Sequence, residues 1–227
     1  MTGNVTVEAT AVNYAANGDN ATASANLDVT ALTGDLTVTG NINVTAYAIQ
    51  TSLAILGSSN AYADAYANLY APSNITVNGN VTVTADAINA AALGSNATAL
   101  AGLHATAGTG SADGISVTGN VTVTADASRP SSNTNSGTAY AYVLANFDTF
   151  GSGDLVIDGN LTVTADAYDW WSSNATATAN LDTFGFGDVA IGGDVTITAS
   201  GSNAAYVNAD NIRTPGFDDD VFVSAVG

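Results

Sequence analysis

Few residues in this chain could do acid–base or nucleophilic chemistry. His104 is the only histidine, no cysteine exists, and no acidic residue stands within eight positions on either side of that histidine. A catalytic imidazole needs a group to orient it, so His104 reads as a surface or corner residue. Carboxylates are abundant, and polysaccharide-cleaving enzymes use them in pairs. Twenty acids face only two basic residues, Arg129 and Arg213, so pairs arise here by number alone. The long basic and aromatic loop of such enzymes is missing, and no enzymatic activity is expected. Acid-rich corners, above all Asp218, Asp219 and Asp220, are the weak candidates for a metal, and calcium is the ion they would take. Solvated acidity is the preferred reading, and no other cofactor is expected.

Two other residue classes could recognise something. "YDWW" at Tyr168–Trp171 is the densest aromatic run. Trp170 and Trp171 read as a partner contact in preference to corner packing. Nine Asn-x-Thr sequons occur, at Asn4, Asn20, Asn43, Asn74, Asn80, Asn96, Asn120, Asn160 and Asn174. Each could accept an N-linked glycan. Many of these asparagines also recur at one repeat position, where stacked amides would hydrogen-bond along the molecule.

That recurrence defines the elements. "GNVTVTADA" begins at Gly79 and again at Gly119, and relatives begin at Gly3, Gly40, Gly159 and Gly193. The intervals are 37, 39, 40, 40 and 34 residues. A shorter relative precedes each later copy, such as "GDLTVT" at Gly34 and "GDLVID" at Gly153. A third, alanine-rich piece lies between, such as "NATASANLD" at Asn20. All three alternate apolar and polar with period two, the mark of a strand, and no segment has helical periodicity. Gly-Asn and Gly-Asp dipeptides punctuate the strands and supply corners. The fold class expected is all-β, a parallel β-solenoid (β-helix) of six repeats over residues 1–200. Residues 201–227 form an irregular tail that ends in a strand.

A repeat of about 40 residues could be one large turn or two turns near 20. The starts of the Val-rich and Ala-rich pieces alternate at Val5, Ala21, Ile42, Ala61, Val81 and Ala97, which favours two turns. Charge favours the same reading. Asp86, Asp126 and Asp166 share one repeat position. In single turns they would stack ~4.8 Å apart with mutual repulsion, and in double turns at about twice that. Outward positions should form columns, one of Thr6, Asn43, Thr82, Thr122, Thr162 and Thr196 and one of Glu8, Thr45, Thr84, Thr124, Thr164 and Thr198. Flat threonine arrays of this kind resemble the T-x-T face of insect antifreeze solenoids. Threonine is also simply the polar residue best suited to an exposed strand, and that plainer reading is preferred.

Composition excludes several partners. Net charge is −18, with no lysine, which leaves nothing to neutralise nucleic acid or an anionic membrane. No apolar run is long enough to span a bilayer as a helix. The first repeat begins at once, and the last strand, "DVFVSAV" with Phe222, could add to another molecule's sheet. Joining unlike ends builds an open filament.

The runs "GDLTVTGNINVTAYA", "DGISVTGNVTVTADA" and "GDLVIDGNLTVTADA" resemble the repeats of filamentous-haemagglutinin-like and autotransporter-passenger-like surface proteins over about residues 1–200. The resemblance implies a right-handed parallel β-helix, an extracellular or cell-surface place, and adhesive or structural work. A secretion domain and a signal segment of that family are not expected from these residues. The function expected is therefore a structural subunit of an extracellular filament, fibre or sheath, with itself as partner. The alternative is an adhesin or glycan-binding segment, with ice binding behind it.

Overall fold

The computed structural model describes residues 1–14, 19–51, 59–91, 95–108, 113–130, 137–149, 153–170, 174–185, 188–210 and 221–226. Every described element is a strand. The first turn holds β1 (Val5–Asn13), β2 (Ala21–Thr30) and β3 (Leu36–Thr39). The second holds β4 (Ile42–Gln50), β5 (Ala61–Ala71) and β6 (Ile75–Asn78), and the third β7 (Val81–Asn89), β8 (Ala97–Ala107) and β9 (Ile115–Val117). Then come β10 (Val121–Arg129), β11 (Ala139–Thr149) and β12 (Leu155–Ile157), followed by β13 (Leu161–Asp169), β14 (Ala175–Gly185) and β15 (Val189–Ile191). The last elements are β16 (Val195–Gly201), β17 (Ala204–Asp210) and β18 (Val221–Val226). Like strands of successive turns pair in parallel, giving sheets ordered β1-β4-β7-β10-β13-β16-β18, β17-β14-β11-β8-β5-β2 and β15-β12-β9-β6-β3. The chain is a β-solenoid.

Each 40-residue repeat is one turn with three sides, not two turns. Strand length decides this. An 11-residue strand such as β8 spans about 36 Å, which uses half of a 20-residue turn and leaves too little chain to return. The short third piece is therefore the closing side of a single turn. The register follows, with Val121 opposite Val81 on one side and Leu161 on the other.

Side-chain size shapes the cross-section. The seven- and six-stranded sheets face each other across the core. Where β7 ends and β8 begins, both contribute alanine: Ala85, Ala87, Ala97 and Ala99 are all fully buried. Further along, Val81 and Val83 of β7 and Leu103 of β8 are buried with Ile115 and Val117 of β9. The core is thus a wedge, thin at its alanine end and wide where the short sheet closes it. Alternation is nearly perfect, as in β7, where every second residue is buried. Because the side-chain period is two, a one-residue slip would turn this whole set outward.

A polar column closes the thin end. Gln50 pairs with Asn89 in register, and Arg129 with Asp169. All four are buried. Asn89 is held on three sides: its Nδ2 donates to the carbonyls of Ser59 and Asn96 at 2.7 Å each, and its Oδ1 accepts from Ala91 N–H at 2.9 Å. Arg129 Nη1 donates to Asp169 Oδ2 at 2.6 Å. One of the two basic residues of the chain is therefore committed to an internal ion pair.

Candidate assembly interface

Three asparagine or aspartate ladders run along the corners. In the first, the N–H of Asn41 donates to Asn4 Oδ1, Asn80 to Asn41, Asn120 to Asn80, Asn160 to Asn120 and Asp194 to Asn160, all at 2.8–2.9 Å. The second joins Asn60 N–H to Asn20 Oδ1, Asn96 to Asn60 and Thr138 to Asn96. The third joins Asn74 to Asp35, Gly114 to Asn74 and Asp188 to Asp154. The bond runs from backbone to side chain, not from amide to amide, so aspartate can replace asparagine. In the first ladder each rung offers a corner N–H to the rung before it and a corner oxygen to the rung after it, whereas the third is interrupted at Gly114, which has no side-chain oxygen. This chemistry is directional.

The sequons separate by position. Asn4, Asn80, Asn120 and Asn160 stand in the first ladder, Asn20 and Asn96 in the second and Asn74 in the third. Asn174 holds the equivalent corner before β14. Asn43 is different, lying inside β4 as its second residue, in register between Thr6 and Thr82. The ladder positions explain the asparagine, and the threonine two residues on is the first outward residue of the strand.

Glycine before the first-ladder residues Asn41, Asn80, Asn120 and Asn160 has a steric cause. A Cβ on Gly119 would overlap Asn80 Oδ1 and lie 2.7 Å from the Gly79 carbonyl oxygen. A Cβ on Gly40, whose φ is +131°, would lie 2.6 Å from the carbonyl of Gly3. The turns stack so closely here that only glycine fits.

The two broad outer faces differ. On the seven-stranded sheet the expected threonine columns stand in register, Thr82 against Thr122 and Thr162, and Thr84 against Thr124 and Thr164. Beside them, Asp126 pairs directly with both Asp86 and Asp166, because the repeat is a single turn. Proton uptake relieves that repulsion only below about pH 6. Burial, then the Asp86 and Asp166 carboxylates, push the Asp126 carboxyl up to about 6, and burial raises Asp86 as well. A raised carboxyl binds its proton more tightly folded than unfolded, so this site favours the fold at low pH and loses that advantage as pH rises through about 6. We expect the melting temperature to fall between pH 5 and pH 7.5. Asp126→Asn should raise it at pH 7.5 and flatten that slope. Circular dichroism melts check this, and an Asp126→Asn slope equal to the parent's contradicts it.

On the six-stranded sheet the stacking brings His104 to an acid 44 residues away. Its Nε2 lies 3.3 Å from Asp148 Oδ2 and 2.7 Å from Thr106 Oγ1. Asn146 Nδ2 donates to Asp148 at 3.3 Å. Burial raises the Asp148 carboxyl, His104 lowers it, and Asp182 raises it. Both partners share one ring nitrogen, whereas a proton relay uses the two nitrogens for different partners. This cluster positions side chains across two rungs. Sequence reasoning missed it because the contact exists only once the register is known.

The remaining candidates lie toward the ends. Trp170 is 63% exposed and meets Tyr168 edge-on at 6.3 Å. Its N–H donates to the Arg129 carbonyl at 3.2 Å. Phe222 is 56% exposed on β18, which pairs with β16 as the last strand of its own sheet. Trp171, Asp218, Asp219 and Asp220 lie outside the described residues. Among the described residues, no three His, Cys, Asp or Glu side chains group as metal ligands, and no helix is long and apolar enough to cross a membrane.

Among the described residues, β1 is an edge strand at one end, with Val5, Val7, Ala9 and Ala11 only partly buried. At the other end the seven-stranded sheet runs beyond the other two and closes on β18. Val221, Val223 and Ala225 stand in β18 at the register positions that Val5, Val7 and Ala9 hold in β1. No protein-family model, curated protein or solved structure matches this chain.

Proposed function

We propose that this chain is a structural subunit of an extracellular filament, fibre or sheath that joins head to tail through stacked rungs. One observation carries the reading: the two terminal strands of the seven-stranded sheet repeat the same Val-x-Val-x-Ala pattern in the same register. A second copy's β1 laid on β18 would continue three of the inward columns, valine on valine twice and alanine on alanine. The partner is thus another copy of the chain, and the joint uses the backbone pairing that holds every internal rung. The extracellular placement rests on the resemblance of the repeats to microbial surface proteins.

The edge of β1 gives the test. Val5 N–H donates inward to the Asn41 carbonyl, so alternate residues, Thr6, Glu8 and Thr10, aim their backbone groups at the open side. Glu8→Pro removes an outward donor and no internal one. The parent should sediment as a growing series of species with rising concentration. Glu8→Pro should remain monomeric while melting within a few degrees of the parent. A parent that stays monomeric throughout contradicts the proposal.

A further inference from the structure

The outer face of the six-stranded sheet carries tyrosines at a fixed axial interval. In one column the register runs Thr22, Tyr62, Thr98, Tyr140, Thr176. In the next it runs Ser24, Asp64, Leu100, Tyr142, Thr178, Tyr206. Tyrosine rings therefore stand on every second rung: Tyr62 on β5, Tyr140 and Tyr142 on β11, and Tyr206 on β17. Threonine stands on β8 between Tyr62 and Tyr140 and on β14 between Tyr142 and Tyr206, and β14 also carries the exposed Phe184. Two rungs amount to ~9.6 Å. The rings of Tyr140 and Tyr142 lie nearly parallel, with ring centres 6.5 Å apart and 10° between planes. Tyr66, on the rung of Tyr62, lies flat over Gly102, where a Cβ would collide with its ring. Tyr140 and Tyr206 are 37% and 60% exposed.

Two open clefts lie on this row. One, of about 320 Å³, is lined by Asn20, Thr22, Tyr62, Asn96 and Thr98, and the other, of about 380 Å³, by Thr138, Tyr140, Asn174 and Thr176. Each sets a tyrosine beside neutral amides and hydroxyls. None of these residues is charged, so an anionic ligand finds no cation to pair with. An apolar peptide would need a hydrophobic groove instead. Flat rings with amide and hydroxyl neighbours suit the C–H faces and hydroxyl rims of sugars. The two-rung interval is close to the disaccharide repeat of an extended β-1,4-linked chain.

We propose that this face binds a neutral, extended β-1,4-linked polysaccharide lying along the solenoid axis, with successive disaccharide units over Tyr62, Tyr140–Tyr142 and Tyr206. The site is complete within one chain, so it stands whether or not the chain forms filaments. The test is retention of the full chain on microcrystalline cellulose, chitin and insoluble β-mannan, read as a depletion isotherm. The parent should bind at least one of these and not an α-linked glucan. Tyr62→Ala and Tyr140→Ala should each weaken binding about tenfold, and Tyr62→Phe should keep most of it. Thr82→Ala and Thr122→Ala, on the opposite face, should leave binding unchanged. These side chains lie on the outer face, and an unchanged melt for each variant separates lost binding from lost fold. No retention on any of the three polymers overturns the proposal. So does equal loss from the threonine variants, or binding that survives removal of both tyrosines.

Discussion

Asp169→Ala should be among the most destabilising single changes in this protein, lowering stability by about 3–5 kcal/mol. The ion pair of Arg129 and Asp169 lies at the thin end of the wedge, with side chains only 4% and 2% exposed. Removing the carboxylate leaves a buried guanidinium, which cannot shed its proton. The guanidinium packs against Gly137, where a Cβ would collide with it. At this chain length the loss corresponds to a drop in melting temperature on the order of 10 °C. The double variant Arg129→Met with Asp169→Leu should recover most of it, because apolar replacement of a buried pair is often neutral or stabilising. Thermal melts of the three proteins decide the matter. A single variant that melts with the parent contradicts the buried pairing.

Gly119→Ala should cost about 3 kcal/mol, by overpacking. Its methyl group would enter the space held by Asn80 Oδ1 and the Gly79 carbonyl. Relief would require two turns to part at the corner, which would also stretch the Asn120-to-Asn80 bond of 2.8 Å. Asn120→Ala is the instructive comparison. It removes only the acceptor for Asn160 N–H, at 2.8 Å, and should cost about 1–2 kcal/mol. Denaturant melts that rank Gly119→Ala at or below Asn120→Ala would show that the corner is looser than its geometry.

The strand positions were open to inspection in the sequence because period-two alternation and Gly-Asn corners are local signals. Val5, Ala21, Ile42, Ala61 and Val81 are each the first residue of a strand, as the alternation predicts. How the strands close into a turn is not local. The short pieces, such as Leu36–Thr39, look like satellites of the longer copies, and their role as a third side emerges only from the length of the other two. The stacked aspartates misled for a related reason. Direct stacking of Asp86, Asp126 and Asp166 looks prohibitive from charge alone, whereas the fold accepts it, with the Asp126 carboxyl pushed up to about 6 by burial and by its two neighbours. His104 and Asp148, and the two-rung tyrosine interval, depend on register between turns and have no signature in any one repeat. Trp170 and Phe222 stood out by type alone, and both are exposed, but exposure does not name what they meet.

The central claim is that the last rung of one copy receives the first rung of another. Electron microscopy of the purified full chain at high concentration tests it most directly. Unbranched fibres one solenoid wide, with strands stacked ~4.8 Å apart along the fibre axis, are the result this account predicts. Uniform single particles, with no end-to-end contacts at any concentration, would contradict it.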